Sequence, residues 1–328
     1  MTALRTFAEQ SVHYFIRPHE RVPDQPIEDP AAWRGSELAA DESTWSWTLT
    51  DADADELERA ATAAMRSGMA MEDLTVEGFP IPALAERLGH WRAQLGAGLG
   101  VVRLRGLPVE RWEDELSGWV FWGLGRHLGV PGAQNPQGEL LGHVKDYGED
   151  AGDYTGRRYR TAANLQIHCD AADVVGLLCL RTATRGGESR IASSVTIFNE
   201  LLHRRPDLVP RLFEPFAIDR RDEEGPGEAP TFLLPPATFD GRLRTFWHSG
   251  YMRSATRHDI VDDFTPQEAA LLDTYEAIAA EPDIRLDMWL EPGDIQLISN
   301  HNVVHARTAY DDDPASPRHL LRLWLSLT

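Results

Sequence analysis

The chain is poor in thiols, in lysine and in long apolar runs. It has 328 residues but only two cysteines, Cys169 and Cys179, and one lysine, Lys145, among 32 basic residues. Two cysteines are too few for a disulfide-built framework, and one lysine leaves a single candidate for Schiff-base chemistry. The other basic residues are arginines, so a fixed anion is expected to be held by guanidinium forks. No stretch approaches eighteen consecutive apolar residues, and the amino terminus lacks an apolar segment behind a basic start. Neither a membrane span nor a leader peptide is expected. Basic clusters are also missing, and the net charge is −20 with a pI near 5.0. That field repels phosphate backbones and anionic lipid, which excludes nucleic acid and membrane as partners. The expectation is a cytoplasmic protein acting on a small molecule, with a homo-oligomer left open.

Apolar residues make up 42% of the chain and charged residues 26%, an ordinary globular balance that excludes whole-chain disorder. Residues 1–50, rich in Pro, Trp and acid, show no sustained period and read as an arm laid over the core. Helical spacing follows in DADADELERAATAAMRSG and in IPALAERLGHWRAQLGAG, where Leu84, Leu88, Trp91 and Leu95 share a face. GVVRLRGLP alternates as a strand, and the helical run after it carries Trp119 and Trp122 as core residues. From about residue 139 short apolar runs are divided by Gly, Pro and Asp, which suggests a sandwich or barrel. Asp240-Gly241 predicts a hairpin turn between two such runs. Helical inserts are predicted at 195–213 and 265–280. The fold class is mixed α+β, read as one domain over 1–328. Residues 1–98 form its arm and helical layer and 99–328 its β core with helical inserts.

The segment NLQIHCD carries the first chemical signal. On a strand, His168 and Asp170 point to one face and Cys169 points away. One His-x-Asp is expected by chance among 12 histidines, so the pair alone is weak. Far downstream, in ISNHNVVHARTAYDDDPASPRHLLRLWLSL, a strand ends at His305 and a final strand carries Arg318 and Arg322. Two imidazoles and one carboxylate on one face of a metal form the facial triad of non-heme Fe(II) oxygenases. Zinc hydrolases use the same set, so the triad by itself leaves metal and reaction open.

With Arg318 thirteen residues after His305, the sequence resembles the TauD/TfdA-like Fe(II)- and 2-oxoglutarate-dependent dioxygenases, from about residue 100 to the end. In that family a His-x-Asp, a distal His and an Arg a dozen or so residues beyond it sit on a double-stranded β-helix, a jelly-roll core with flanking helices. The resemblance implies His168, Asp170 and His305 as catalytic metal ligands, and Fe(II), 2-oxoglutarate and O2 as cofactor and cosubstrates. Gly186-Gly187-Glu188-Ser189 matches a family turn whose hydroxyl helps hold the remote carboxylate of 2-oxoglutarate, with Arg318 as its anchor. Asn164 matches a substrate-contacting Asn. The implied reaction is oxidation of an unactivated C–H bond, hydroxylation by default with desaturation or cyclisation open, on a small and carboxylate-bearing molecule of natural-product biosynthesis. The competing functions are a zinc hydrolase on the same triad and a non-catalytic binding barrel.

The competing reading of Arg318 is a surface ion pair with Asp311, Asp312 or Asp313. Arg322 shares its face and is either a contact for an anionic substrate or a partner of buried Asp294. Arg307 is expected to form a structural ion pair, and His301 to be a polar neighbour. Trp247, His248, Tyr251 and Arg253 are candidate pocket residues, weighed against simple hairpin packing. His143 and Asp146 are candidates for a facing loop.

Overall fold

A computed structural model describes residues 3–149 and 158–327. Helices form where apolar residues recur at helical spacing, and several start on an oxygen-bearing cap. In chain order they are α1 (Phe7–Phe15), α2 (Gly35–Ala40), α3 (Asp51–Arg66), α4 (Ala85–Ala97) and α5 (Asp114–Leu128). Then come α6 (Ser194–Arg204), α7 (Val209–Leu212), α8 (Ser249–Ala255) and α9 (Pro266–Ala279). Reciprocal capping boxes start three of them: Thr6 with Glu9, Thr50 with Asp53, and Thr265 with Glu268.

The strands before the first insert are β1 (Ser46–Thr48), β2 (Val101–Arg105), β3 (Val130–Gly132), β4 (Leu141–Val144), β5 (Leu165–His168), β6 (Val174–Arg181), β7 (Arg185–Gly186) and β8 (Ser189–Ser193). Those after it are β9 (Phe216–Asp219), β10 (Thr231–Leu234), β11 (Ala237–Phe239), β12 (Leu243–Thr245), β13 (Arg285–Met288), β14 (Ile295–Ser299), β15 (Val303–Arg307), β16 (Tyr310–Asp311) and β17 (His319–Ser326). Seven strands make a large sheet in the order β1-β2-β14-β6-β17-β3, with β4 also paired to β17. Four make a smaller sheet in the order β13-β8-β15-β5. Only β1 and β2 run parallel within these two sheets. From β4 to β8 and again from β13 to β17 the main strands pass back and forth between the sheets.

Alternation along each strand sorts its side chains. On β17, Leu321, Leu323 and Leu325 face outward and join Leu57, Trp91, Trp119 and Trp122 of the helical layer in one core. Burying each such leucine stabilises the fold by about 1.5–3 kcal/mol. Trp324 faces inward and meets Val175, Ile191, Leu286 and Val303 between the sheets. The outer face of the smaller sheet, with Ala192 and Val304, is covered by Phe198, Leu201, Leu271 and Tyr275 of α6 and α9.

The expected mixture of helix and sheet is observed. The predicted hairpin is the β11–β12 pair, with Gly241 at φ 96°. Three expectations need correction. The insert at 195–213 is two helices, because Pro206 forces Arg205 out of the helical region at φ −143°, ψ 62°. Residues 1–50 contain α1, α2 and β1. Helix α1 docks through Gln10 and Tyr14, polar-tipped residues, so its buried face carries no apolar period. Arg318 lies just before β17 rather than on it. Among the described residues, no helix is long and apolar enough to cross a membrane.

Candidate active site

Strand β5 ends at His168, so Asp170 reaches its place by a turn and not by the pleat that the sequence suggested. The turn is pinned by Asn300, whose Oδ1 accepts from the Asp170 backbone N–H at 3.0 Å and whose Nδ2 donates to the Ala172 carbonyl at 2.9 Å. Cys169 turns outward, its N–H donating to the Trp247 carbonyl at 2.7 Å. Across the ladder His305 of β15 stands opposite His168. The two Nε2 atoms each lie 3.8 Å from an Asp170 oxygen, and the imidazole centroids are 4.1 Å apart. One ligand atom from each of the three residues falls within 4.8 Å of the others.

Neighbouring groups fix these side chains. His168 Nδ1 meets the Gln166 carbonyl at 2.9 Å, which keeps the proton there and aims the Nε2 lone pair at the centre. Trp324 Nε1–H donates to Asp170 Oδ2 at 3.1 Å. Burial lowers the pKa of both imidazoles, taking His305 down to about 3 with help from His168. Burial alone would raise the Asp170 carboxyl, but Arg322 and the two histidines together hold it below its ordinary range. Two neutral nitrogens and a carboxylate are therefore presented at neutral pH, the protonation state that metal binding requires. Buried His305 Nδ1 has no partner.

A second group of buried polar residues gathers around Arg318. Arg318 is buried with its guanidinium 5.0 Å from the Tyr310 ring, and its Nη1 has no partner. Its backbone N–H, not its guanidinium, bonds Asp312, and Asp311 pairs with Arg185. Among the described residues Arg307 forms no ion pair of the kind expected. Its Nη2 donates to the Thr161 and Ala163 carbonyls, while Nε and Nη1 are buried without partners. Burial and the nearby Arg318 press Arg307 down to about 10. A Cβ on Gly187, at φ 81°, would sit 3.1 Å from Arg318 Nε, so the glycine turn leaves that guanidinium its room. Buried Ser189 stands opposite Arg307 in the β8–β15 ladder and donates to Gln296 Oε1 at 2.7 Å. Buried cationic donors without partners are costly, and this cradle fits an anion.

Arg322 has its Nη1 3.8 Å from Asp170 Oδ2 and lies over Tyr159 at 4.2 Å. Gln134 Oε1 accepts from its Nε, and Nη2 is buried without a partner. Asp294, the alternative partner, approaches Arg105 at 3.5 Å instead. Arg322, His168, Asp170 and Trp324 line one side of an open cavity of about 780 Å³. His248 and Tyr251 line it too, their rings stacked at 3.4 Å, with His248 5.3 Å from the His168 ring. The Tyr251 hydroxyl accepts from Arg221 Nη1 at 3.0 Å, across a turn in which Arg221 and Asp222 both have positive φ. Asp219, fully buried between Arg257 and His258, holds that turn.

Other sequence candidates lie elsewhere. Trp247 is wholly buried and stacked on Tyr275 at 3.7 Å, away from the cavity wall. Asn164 is exposed ahead of β5 and does not line the cavity. Arg253 pairs with Asp273 and Glu276. His143 bonds His319, Asp146 caps the Gly148 N–H, and His301 bonds Asp173. The sequence reading missed Trp324, although it lies two residues beyond Arg322 on the same strand parity. It also missed Asn300, Gln134 and Tyr159, whose roles exist only through long-range contacts.

The chain matches the family described as Taurine catabolism dioxygenase TauD, TfdA family, over residues 67–324. FR-33289 synthase of Streptomyces rubellomurinus is 33% identical over 315 residues, covering 92% of this chain and 91% of that protein. The taurine hydroxylase-like protein SAT17 of Stachybotrys chartarum is 29% identical over 338 residues, covering 98% and 84%. Among solved structures, an asparagine oxygenase in complex with Fe(II), 2S,3S-3-hydroxyasparagine and succinate superposes with a TM-score of 0.67 at 22% identity, over 86% of this chain and 93% of that one. The non-heme iron oxygenase OrfP with Fe and alpha-ketoglutaric acid gives 0.62 at 15% identity, over 86% and 93%. These structures share the fold, and the sequence match over most of the chain supplies the kinship: the protein belongs to the TauD, TfdA family of dioxygenases.

Proposed function

We propose that this dioxygenase uses Fe(II), 2-oxoglutarate and O2 to oxidise an unactivated C–H bond of a small anionic molecule, with hydroxylation as its default outcome. His168, Asp170 and His305 hold the metal, Arg318 and Ser189 hold the remote carboxylate of 2-oxoglutarate, and Arg322 meets the anionic group of the primary substrate. The observation that carries this reading is the pairing of a buried His-Asp-His set with buried guanidinium nitrogens of Arg307, Arg318 and Arg322 that find no hydrogen-bond partner among the described residues. A zinc hydrolase would need the first and has no use for the second.

When bound, iron and the keto acid couple oxidative decarboxylation of 2-oxoglutarate, giving succinate and CO2, to substrate oxidation by O2. The chain's own groups do the positioning. Trp324 and the Gln166 carbonyl fix the angles of Asp170 and His168. Arg318 offers a charge-assisted fork inside the sheets, where few waters compete. Arg322, with Tyr159 and Trp324 against its faces, holds an anion beside the triad.

The passage of successive strands between the two sheets supports a double-stranded β-helix core. Residues 1–98 belong to the same unit in this reading, since α1 lines the cavity. Similarity to a Streptomyces synthase supports a place in natural-product biosynthesis. Two buried, unpaired thiols fit a cytoplasmic setting.

The test is uncoupled succinate release from 2-oxoglutarate with Fe(II) and O2, before any primary substrate is known. The wild type is expected to release succinate and Asp170→Ala to lose it by at least a hundredfold. Equal release from both proteins would overturn the reading.

A further inference from the structure

Two of the three metal-site side chains sit on paired strands and the third does not. His168 and His305 are partners in the β5–β15 ladder. Asp170 lies beyond the end of β5, outside that ladder, so its carboxylate owes its place to other contacts. Asn300 provides some of them. Its side chain bonds the Asp170 N–H and the Ala172 carbonyl, and its backbone N–H donates to the Asp173 carbonyl at 2.9 Å. Helix α1, which lies outside the span that matches the family, provides the rest. Tyr14 donates to the Asn300 carbonyl at 3.0 Å and to the Thr245 carbonyl at 2.7 Å, and its ring stacks on His301 at 4.6 Å. His13 bonds Asp173 Oδ2 at 2.8 Å, while His301 bonds Oδ1 at 3.0 Å. Gln10 Nε2 reaches the Ala171 carbonyl at 3.5 Å, and its Oε1 accepts from the Ser326 hydroxyl at 3.0 Å. Each residue from Asp170 to Asp173 is thus bonded by Asn300 or by α1.

We infer that helix α1 clamps the turn that carries Asp170, with Tyr14, acting through Asn300, as a positioning residue for that carboxylate, and that metal binding and docking of the helix reinforce each other. The inference rests on the oxygenase reading only for Asp170 as a metal ligand. A helix of nine residues is too short to hold its shape alone in water, so the order of α1 depends on its docking. That docking is made by polar contacts, with Val12 56% and Ile16 74% exposed on its other side. Segments with few buried apolar contacts open more readily than the rest of a fold. When α1 lifts, the Asn300 carbonyl and the Asp173 carboxylate each lose a partner, and the turn between them is freed. A carboxylate ordered in advance binds a metal more tightly, and linkage requires the metal to favour the docked helix by the same factor.

The experiment titrates full-length, metal-free protein with Mn(II) by calorimetry and follows deuterium exchange of the α1 amides with and without the metal. Tyr14→Phe keeps the ring on His301 and removes only the hydroxyl, and it is expected to weaken Mn(II) binding about tenfold. Asn300→Ala weakens it about 10–100-fold. Adding Tyr14→Phe to Asn300→Ala then changes affinity by less than about twofold, because residues that act through one another are not additive. Leu57→Ala, in the helical layer, lowers the melting midpoint and keeps Mn(II) affinity within about threefold of wild type. Saturating Mn(II) slows exchange in α1 of the wild type by at least roughly fivefold. Unchanged affinity in Tyr14→Phe, additive losses in the double variant, an equal loss in Leu57→Ala, or exchange in α1 indifferent to Mn(II) would each overturn the clamp. Asp170→Ala tells that failure from failure of the metal reading. If it binds Mn(II) as tightly as wild type, the His-Asp-His set is not the site and the clamp falls with it; if it loses Mn(II) while Tyr14→Phe does not, the clamp alone falls.

Discussion

Arg318→Met separates a ligand anchor from a structural cation, because the two roles predict opposite balances of stability and binding. The guanidinium is buried, its Nη1 has no hydrogen-bond partner among the described residues, and burial holds its pKa below the ordinary arginine value. An unsatisfied buried donor costs about 1–3 kcal/mol, whereas the contact with the Tyr310 ring returns about 0.5–2 kcal/mol. Methionine keeps most of the length and none of the charge, and the backbone bond to Asp312 survives the change. The melting midpoint of the variant is therefore expected within about 3 °C of wild type, or above it. Binding behaves differently. Removing one partner of a buried charge pair costs about 2–5 kcal/mol, which raises half-saturation by 2-oxoglutarate roughly thirtyfold to several thousandfold. The assay is succinate formation against 2-oxoglutarate concentration, beside a thermal melt of the metal-free protein. A shift in half-saturation below threefold, together with a melting midpoint lowered by more than 5 °C, would refute the anchor and make Arg318 a structural residue.

Trp324→Phe removes the indole bond to Asp170 while keeping an aromatic ring, and metal affinity in a Mn(II) titration should fall about 10–100-fold; unchanged affinity would mean the carboxylate needs no such support. Burial, His143 and Arg181 push His319 down to about 4, against about 6.5 in the unfolded chain. Its contribution is thus complete above pH 6.5 and is lost as pH falls towards 4, where the unfolded state takes up a proton that the folded state refuses. The slope approaches about 1.4 kcal/mol per pH unit. Urea unfolding of His319→Gln over that window should show a shallower slope, and an identical slope would contradict the assignment. Trp247→Ala removes the ring stacked on Tyr275 and should destabilise by about 3–5 kcal/mol in urea, with half-saturation by 2-oxoglutarate within threefold of wild type.

The candidate ligand set was legible because its donor types and spacing match a family motif. His168 and Asp170 sit two residues apart, and the distal His305 is followed at fixed distance by Arg318 and Arg322. Substrate contacts were not, since long-range packing assigns them. Trp247 and His248 are adjacent in sequence, yet the first stacks in the core and the second faces the cavity, a difference decided by how the end of β12 meets α8 and α9. Arg307 read as an ion-pair residue, but its neighbours in space are the Thr161 and Ala163 carbonyls and another guanidinium.

By itself, then, the sequence determined the alternation of short strands, the helical segments that follow the acidic DADAD and Thr265, and the candidate metal-binding set, because period and donor type are local properties. Only the tertiary structure decided that a turn pinned by Asn300 brings Asp170 to the histidines, that Arg318 and Arg307 lie buried with open donors, and that α1 walls the cavity. Each of these depends on residues more than a hundred positions apart meeting in a dry interior, and a hydrophobic period measured along the chain holds no record of such meetings.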